Sequence, residues 1–175
     1  MVAAALAVSS GVSAEGIYHP VAKVPRVSPY GDLSMMKHEG GALAAEMAAH
    51  CANVLGPLVV EGEDFRAAFL ARRMLGLALL LDPGCVGAKA TDAALAGGLR
   101  PPRLEGSYSG SLLAQILLTR GELLLEAGGE SNREVAGYFL AVGAELDPRN
   151  EDAVYAWELY QLDAPPVDWT KLTGR

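Results

Sequence analysis

From about Ser34 onward the apolar residues fall into helical spacing. Leu43, Met47, Cys51, Val54 and Leu55 recur at intervals of three and four, which puts them on one helix face. Glu39, Glu46, His50 and Asn53 fall together on another face of the same helix. Pro57 interrupts the pattern. It lacks an N–H and its ring meets the carbonyl one turn back, so it is expected to kink or end this helix. Asp64 suits the N-cap of a second helix, expected to reach about Leu81. That helix is apolar on most of its circumference through Phe65, Ala68, Phe69, Ala71, Leu75, Ala78 and Leu79, with Arg66, Arg72 and Arg73 as exceptions. A helix of this kind is expected to lie buried between neighbours. Pro83 stops it, and a third helix is predicted from about Val86 to Ala96, ending at Gly97-Gly98.

Arg100 to Gly110 reads as a loop, and the same order of elements then returns. Ser111 to Ala127 is predicted as a helix that ends at Gly128-Gly129. Ser131-Asn132-Arg133-Glu134 has the form of a capping box, and the helix it opens is expected to run to Glu145. Asn150 caps a last helix, with Glu151 and Asp152 in the first turn, where the helix dipole favours negative charge. Tyr155, Trp157, Leu159 and Tyr160 lie on it. The tail, residues 165–175, with Pro165-Pro166 and Trp169, is expected to fold back across that helix.

The return is close enough to be read residue by residue. Displaced by 65 positions, Gly56 falls on Gly121, Leu58 on Leu123, Glu61 on Glu126, Ala71 on Ala136 and Leu75 on Leu140. Leu81-Asp82-Pro83 falls on Leu146-Asp147-Pro148. Such self-similarity marks stacked repeat architecture. The expected fold is all-α: a short right-handed α-α solenoid of about six helices in two similar units. It occupies residues 34–164, with units near 41–102 and 106–164. An extended arm, residues 15–33, precedes it and carries Pro20, Pro25 and Pro29, which disfavour helix.

Each unit also carries an alanine, a leucine four on, a small residue three further and a proline five further: Ala71, Leu75, Ala78, Pro83 and Ala136, Leu140, Gly143, Pro148. Leu55-Gly56 with Val59 lies upstream in one unit, and Gly121 with Leu124 and Gly128 in the other. This resembles the tetratricopeptide repeat, a helix–turn–helix unit of about 34 residues. The chain departs from the family in several respects. The spacings from Gly56 to Ala71 and from Gly121 to Ala136 are longer, Ala52 and Leu117 stand where the family has Trp, and a single helix follows each pair. The resemblance implies a non-catalytic scaffold that holds a protein or peptide in a groove, without a cofactor or metal. It also implies that the first helix of each pair lines that groove. The corresponding positions are His50, Asn53, Glu61, Gln115, Leu118, Glu122, Leu125 and Glu126, along with Pro57 and Val60. Their carboxylates suggest a partner with basic residues among apolar ones.

Charge and candidate chemistry narrow the picture further. A net charge of −7 opposes nucleic acid, whose phosphates call for clustered Lys and Arg. No uninterrupted apolar run approaches the ~20 residues of a membrane span. Residues 1–14 resemble a signal peptide without its basic start: Val2 to Val8 is apolar, and Val12-Ser13-Ala14 resembles a cleavage site. This points to an exported, periplasmic protein, with a cytoplasmic one as the alternative. Cys51 and Cys85 fit no metal or redox spacing, and a disulfide between them requires export. His38-Glu39 lacks the second histidine of a zinc-protease motif, because Ala42 stands there. Glu46 and His50 lie one turn apart, which two metal ligands could use. The alternative function is therefore an enzyme or a metal- or small-ligand-binding protein, whose site draws on His38, Glu46, His50, Ser34 and Lys37 near the arm. Arg72-Arg73 suits either a carboxylate grip or two side chains snorkelling from an apolar helix. A third reading makes the chain a subunit of a larger assembly, with Trp157, Tyr160 and Trp169 exposed as its contact.

Overall fold

The computed structural model describes residues 18–21, 34–62 and 64–174. Among these residues every regular element is a helix, as the apolar spacing predicts. In order they are α1 (Ser34–His50), a π-helical turn (Cys51–Leu55), α2 (Gly56–Glu61), α3 (Phe65–Leu81), α4 (Val86–Ala96), α5 (Gly110–Ala127), α6 (Glu130–Leu146), α7 (Glu151–Asp163) and α8 (Trp169–Thr173). Residues 1–14, and the arm apart from 18–21, lie outside the described residues.

Pro57 does not end the first helix. The Gly56 N–H donates to the Cys51 carbonyl, which widens the turn just before the proline. In a regular α-helix the proline ring would press on the Asn53 carbonyl. The helix instead continues to Glu61 and stops at Gly62, in left-handed conformation with φ 74°. The stretch Glu39–Glu61 is thus long and apolar enough to cross a membrane by length and composition, although no uninterrupted apolar run suggested it. In the fold, 56% of its most apolar window is buried, against α3 and α4.

α3 lies at the centre and packs against α1, α2, α4, α6 and α8. The Asp64 carboxylate caps it, accepting from the N–H groups of Arg66 (2.8 Å) and Ala67 (3.3 Å). Met74 through Leu81 are buried without a break. α3 and α6 are both 17 residues long and end alike. Asp82 (φ −138°, ψ 94°) and Asp147 (φ −135°, ψ 83°) have nearly the same backbone. Each carboxylate accepts from the N–H two residues on, at Gly84 or Arg149. α4 and α7 then begin at corresponding positions, Val86 and Glu151.

The capping box at Ser131 does not form. α6 begins two residues earlier than that cap would set it, at Glu130, with Gly129 (φ 88°) in the cap position and no side-chain cap. Glu134 is engaged elsewhere: it accepts from Lys171 (2.8 Å), with the Tyr138 hydroxyl oxygen 3.3 Å away. Inside the α5–α6 hairpin, a Cβ at Gly121 would come within 2.7 Å of Leu140, so the missing side chain lets the two helices approach.

The tail folds back with Val167 in the cluster of Trp157 and Tyr160 on α7, and its last turn lies across α3 and α6. Leu172 and Thr173 are buried, with Leu172 against Gly76. Arg72 donates to the Thr173 carbonyl at 3.0 Å, and the Tyr138 hydroxyl donates to the Asp168 carbonyl at 3.0 Å. The Trp169 ring tilts against Tyr138, with centroids 5.3 Å apart. Tyr160 is buried rather than exposed. Its hydroxyl donates to the Arg133 carbonyl, and Trp157 stacks on its ring at 5.7 Å. These aromatics therefore serve the fold itself. Cys51 and Cys85 are both buried free thiols, so the disulfide considered above is not present. Burial raises the Cys51 pKa well above the usual thiol value.

Two predictions concern this core. Leu75 and Leu140 are 0% and 1% exposed, and Leu75→Ala and Leu140→Ala should each cost about 2–5 kcal/mol in denaturant melts. Losses below about 1 kcal/mol for both would contradict their assignment to the packed core. A Cβ at Gly137 would meet the Tyr160 hydroxyl at 2.5 Å and Val167 at 2.9 Å. Gly137→Ala should therefore destabilise by about 1–3 kcal/mol, and a melting temperature equal to wild type would mean that the tail gives way freely.

Candidate functional site

Among the described residues a large depression lies where α2 and α3 face the end of α6 and the start of α7. Leu55 precedes α2 and Leu58 lies on it. Arg66, Phe69, Leu70 and Arg73 line it from α3, spaced at three and four along one side. Ala144, Glu145, Pro148, Val154 and Trp157 form the opposite wall. The cleft holds about 740 Å³ and its lining is mostly apolar. Phe69 is 61% exposed and its neighbour Phe65 64%. Two large rings one turn apart on α3 thus stand in solvent.

The charged groups around the cleft are unequally committed. The Asp64 carboxylate is held by the backbone of α3. Arg73 pairs with Glu145 and its guanidinium lies 4.3 Å above the Trp169 ring, a favourable cation–π position. Burial raises the Glu145 pKa, and Arg73 opposes that shift. Among the described residues Arg66 joins no ion pair. Nor do three His, Cys, Asp or Glu side chains converge among the described residues as metal ligands would. Among the described residues the arrangement offers apolar burial with a charged edge.

The residues expected to line a groove are dispersed. Gln115, Glu122 and Glu126 are exposed and share one face of α5 by spacing. Leu125 is exposed, and Leu118 is buried between α5, α6 and α7. Glu61 is exposed at the end of α2. His50 is buried. Asn53 is spent on the chain's own backbone: its amide donates to the Leu104 carbonyl at 2.8 Å and accepts from the Leu104 N–H at 3.1 Å. Glu46 accepts from the N–H groups of Ser107 (2.9 Å) and Tyr108 (3.1 Å). Glu39, the next member of that stripe, pairs with Arg120 of α5. Segment 101–108 thus lies over the polar stripe of α1 and satisfies the carboxylate that a metal reading would use. The side chains of Ser34, Lys37 and His38 lie outside the described ones.

Arg73 and Trp157 were considered from sequence for other roles and the cleft they line was not, yet a signal was present. Phe65, Arg66, Phe69, Arg72 and Arg73 share about one third of the helix circumference. All the charge of α3 therefore sits beside its two phenylalanines. On this strip the tail covers the Arg72–Arg73 end, and Phe65 and Phe69 are left exposed beside Arg66.

No protein-family model matches the chain, and no curated protein or solved structure matches it.

His50 gives the region a testable pH dependence. Burial holds its imidazole below the ordinary value of 6.5, so the unfolded chain takes up this proton first. The contribution of neutral His50 is complete above pH 6.5 and declines as pH falls below it. Unfolding free energy measured between pH 7.5 and 5.5 should fall more steeply for wild type than for His50→Gln. Parallel curves would show that His50 takes up its proton equally in both states.

Proposed function

We propose that the chain is a non-catalytic binding scaffold that holds a segment of a partner protein in the cleft between α3 and the α6–α7 end. The observation that carries this reading is the exposure of Phe65, Phe69 and Leu58 beside an apolar concavity of about 740 Å³. A concave, mostly apolar site with a few polar groups at its edge is the usual form of a binding pocket. We further propose that the helices form two similar tetratricopeptide-like units in a short right-handed solenoid. The equal lengths of α3 and α6, and the matching backbone at Asp82 and Asp147, support that arrangement. Stacked helix pairs present extended surfaces on a rigid frame, which suits binding by shape. The exposed face of α5 with Glu122 and Glu126 supports a separate contact with basic residues, made mainly through steering.

The test compares intact chain with Phe69→Glu and Leu58→Glu as immobilised baits in extract of the native cell. Both side chains are exposed, so both variants should melt within a few degrees of wild type. A partner retained by wild type and lost by both variants is the expected outcome. Retention of the same proteins by all three baits would place binding elsewhere and overturn the assignment of this cleft.

A further inference from the structure

Resting on that reading, we infer that the segment taken by the cleft is acidic as well as apolar: a helix-forming stretch with large apolar side chains on one face and Asp or Glu beside them. Three observations lead there. First, α3 supplies the exposed rings, and its only charged residues are Arg66, Arg72 and Arg73. Second, the two carboxylates among the described residues that line the cleft are already engaged, Asp64 with the backbone of α3 and Glu145 with Arg73. Arg66 has no ion-pair partner among the described residues, so the uncommitted charge in the described lining of the cleft is positive on a chain of net charge −7. Third, the site is concave, lying between α2–α3 on one side and Ala144 to Trp157 on the other.

The concavity selects among anionic partners. A lipid surface is broad and flat, and would meet the projecting Phe65 and Phe69 without filling the space behind them. A nucleic acid would bring many phosphates to one uncommitted arginine on an acidic chain. An amphipathic helix offers what the walls lack: apolar side chains at helical spacing to enter the cleft, and a carboxylate on the adjacent turn to meet Arg66. The chain already holds one short helix in this manner. α8 lies against α3 through Leu172, with Arg72 on its terminal carbonyl and Arg73 over Trp169. The cleft continues from that site, since Arg73 and Trp157 border both.

Two synthetic helical probes, each about four turns long, decide the matter with the intact chain. Both carry the same leucine stripe; one has Glu at the flanking positions and the other Lys. Only binding abolished by the uncharged Phe69→Ser counts as cleft binding, which removes attraction of the Lys probe to acidic surface elsewhere. At low salt the Glu probe should bind the cleft at least about tenfold more tightly than the Lys probe. Added salt should narrow the difference, and Arg66→Glu should reverse it. An equal or stronger cleft affinity for the Lys probe would overturn the acidic assignment while leaving the binding-scaffold reading intact. An unchanged preference in Arg66→Glu would overturn it equally. If neither probe binds but wild type self-associates and Phe69→Glu does not, the occupant is a second copy. If anionic vesicles bind through Phe69 and the probes do not, the surface meets lipid. Either result overturns both readings.

Discussion

α3 is apolar on nearly its whole circumference, and no single neighbour can cover a helix of that kind. Full burial of each large aliphatic side chain is worth about 1.5–3 kcal/mol relative to solvent, so neighbours gather on several sides: α1, α2, α4, α6 and α8. Small residues make the approach possible. Ala67, Ala68, Ala71, Gly76 and Ala78 are buried on α3, and a Cβ at Gly76 would come within 3.1 Å of Leu172. The same crowding restricts where charge can sit. Arg72 and Arg73 lie beside the tail, where one finds the Thr173 carbonyl and the other Glu145 and the Trp169 ring. The docking of α8, a helix of only five residues, is thus a consequence of covering α3. A helix so short has no stability of its own.

The amino end is fastened in a comparable way. Tyr18 is buried, and its hydroxyl donates to Asp92 of α4 at 2.6 Å, while the Val21 N–H donates to the same carboxylate at 3.0 Å. Burial raises the pKa of Asp92, and these two donors together with Arg72 pull it back. The Tyr18 hydroxyl is held protonated, first by burial and then by the neighbouring Asp92 charge. One arginine of α3 therefore acts electrostatically on the arm while hydrogen-bonding the tail. The tail thus docks on α3, and residues 18–21 are bonded to its neighbour α4.

Local chemistry was legible wherever a helix end is decided by residues adjacent to it. Asp64 and Asn150 cap through their own carboxyl or amide oxygens, and Gly128 and Gly129 take positive φ where the side chain would be strained. What was not legible depends on distant partners. Glu134 could have completed a capping box, but Lys171, brought near only by the folded tail, takes its carboxylate. Pro57 carries the usual signal for a break, yet an extra residue in the preceding turn accommodates it. Phe65 and Phe69 read as core because they lie on an apolar helix. Their exposure follows from sharing an arc with Arg66 and Arg73, which cannot be buried without a partner.

The polar stripe of α1 and the cleft beside α3 show why exposed pattern alone does not identify a site. Segment 99–109 has no regular structure, so its backbone groups need partners from elsewhere. Glu46 and Asn53 supply them, the one to Ser107 and Tyr108, the other to both backbone groups of Leu104. A helical row of Glu, His and Asn has the chemistry of a ligand site, but here that chemistry is consumed in holding the chain's own loop. Across the molecule the balance is reversed. Among the described residues no backbone segment lies over Phe65 and Phe69, which are 64% and 61% exposed, although burying either ring would be favourable by several times RT. Exposed large apolar groups beside a concavity carry that unspent free energy until something covers them. The stripe is polar and satisfied, whereas the cleft is apolar and open, and the second combination is the one from which binding can still gain.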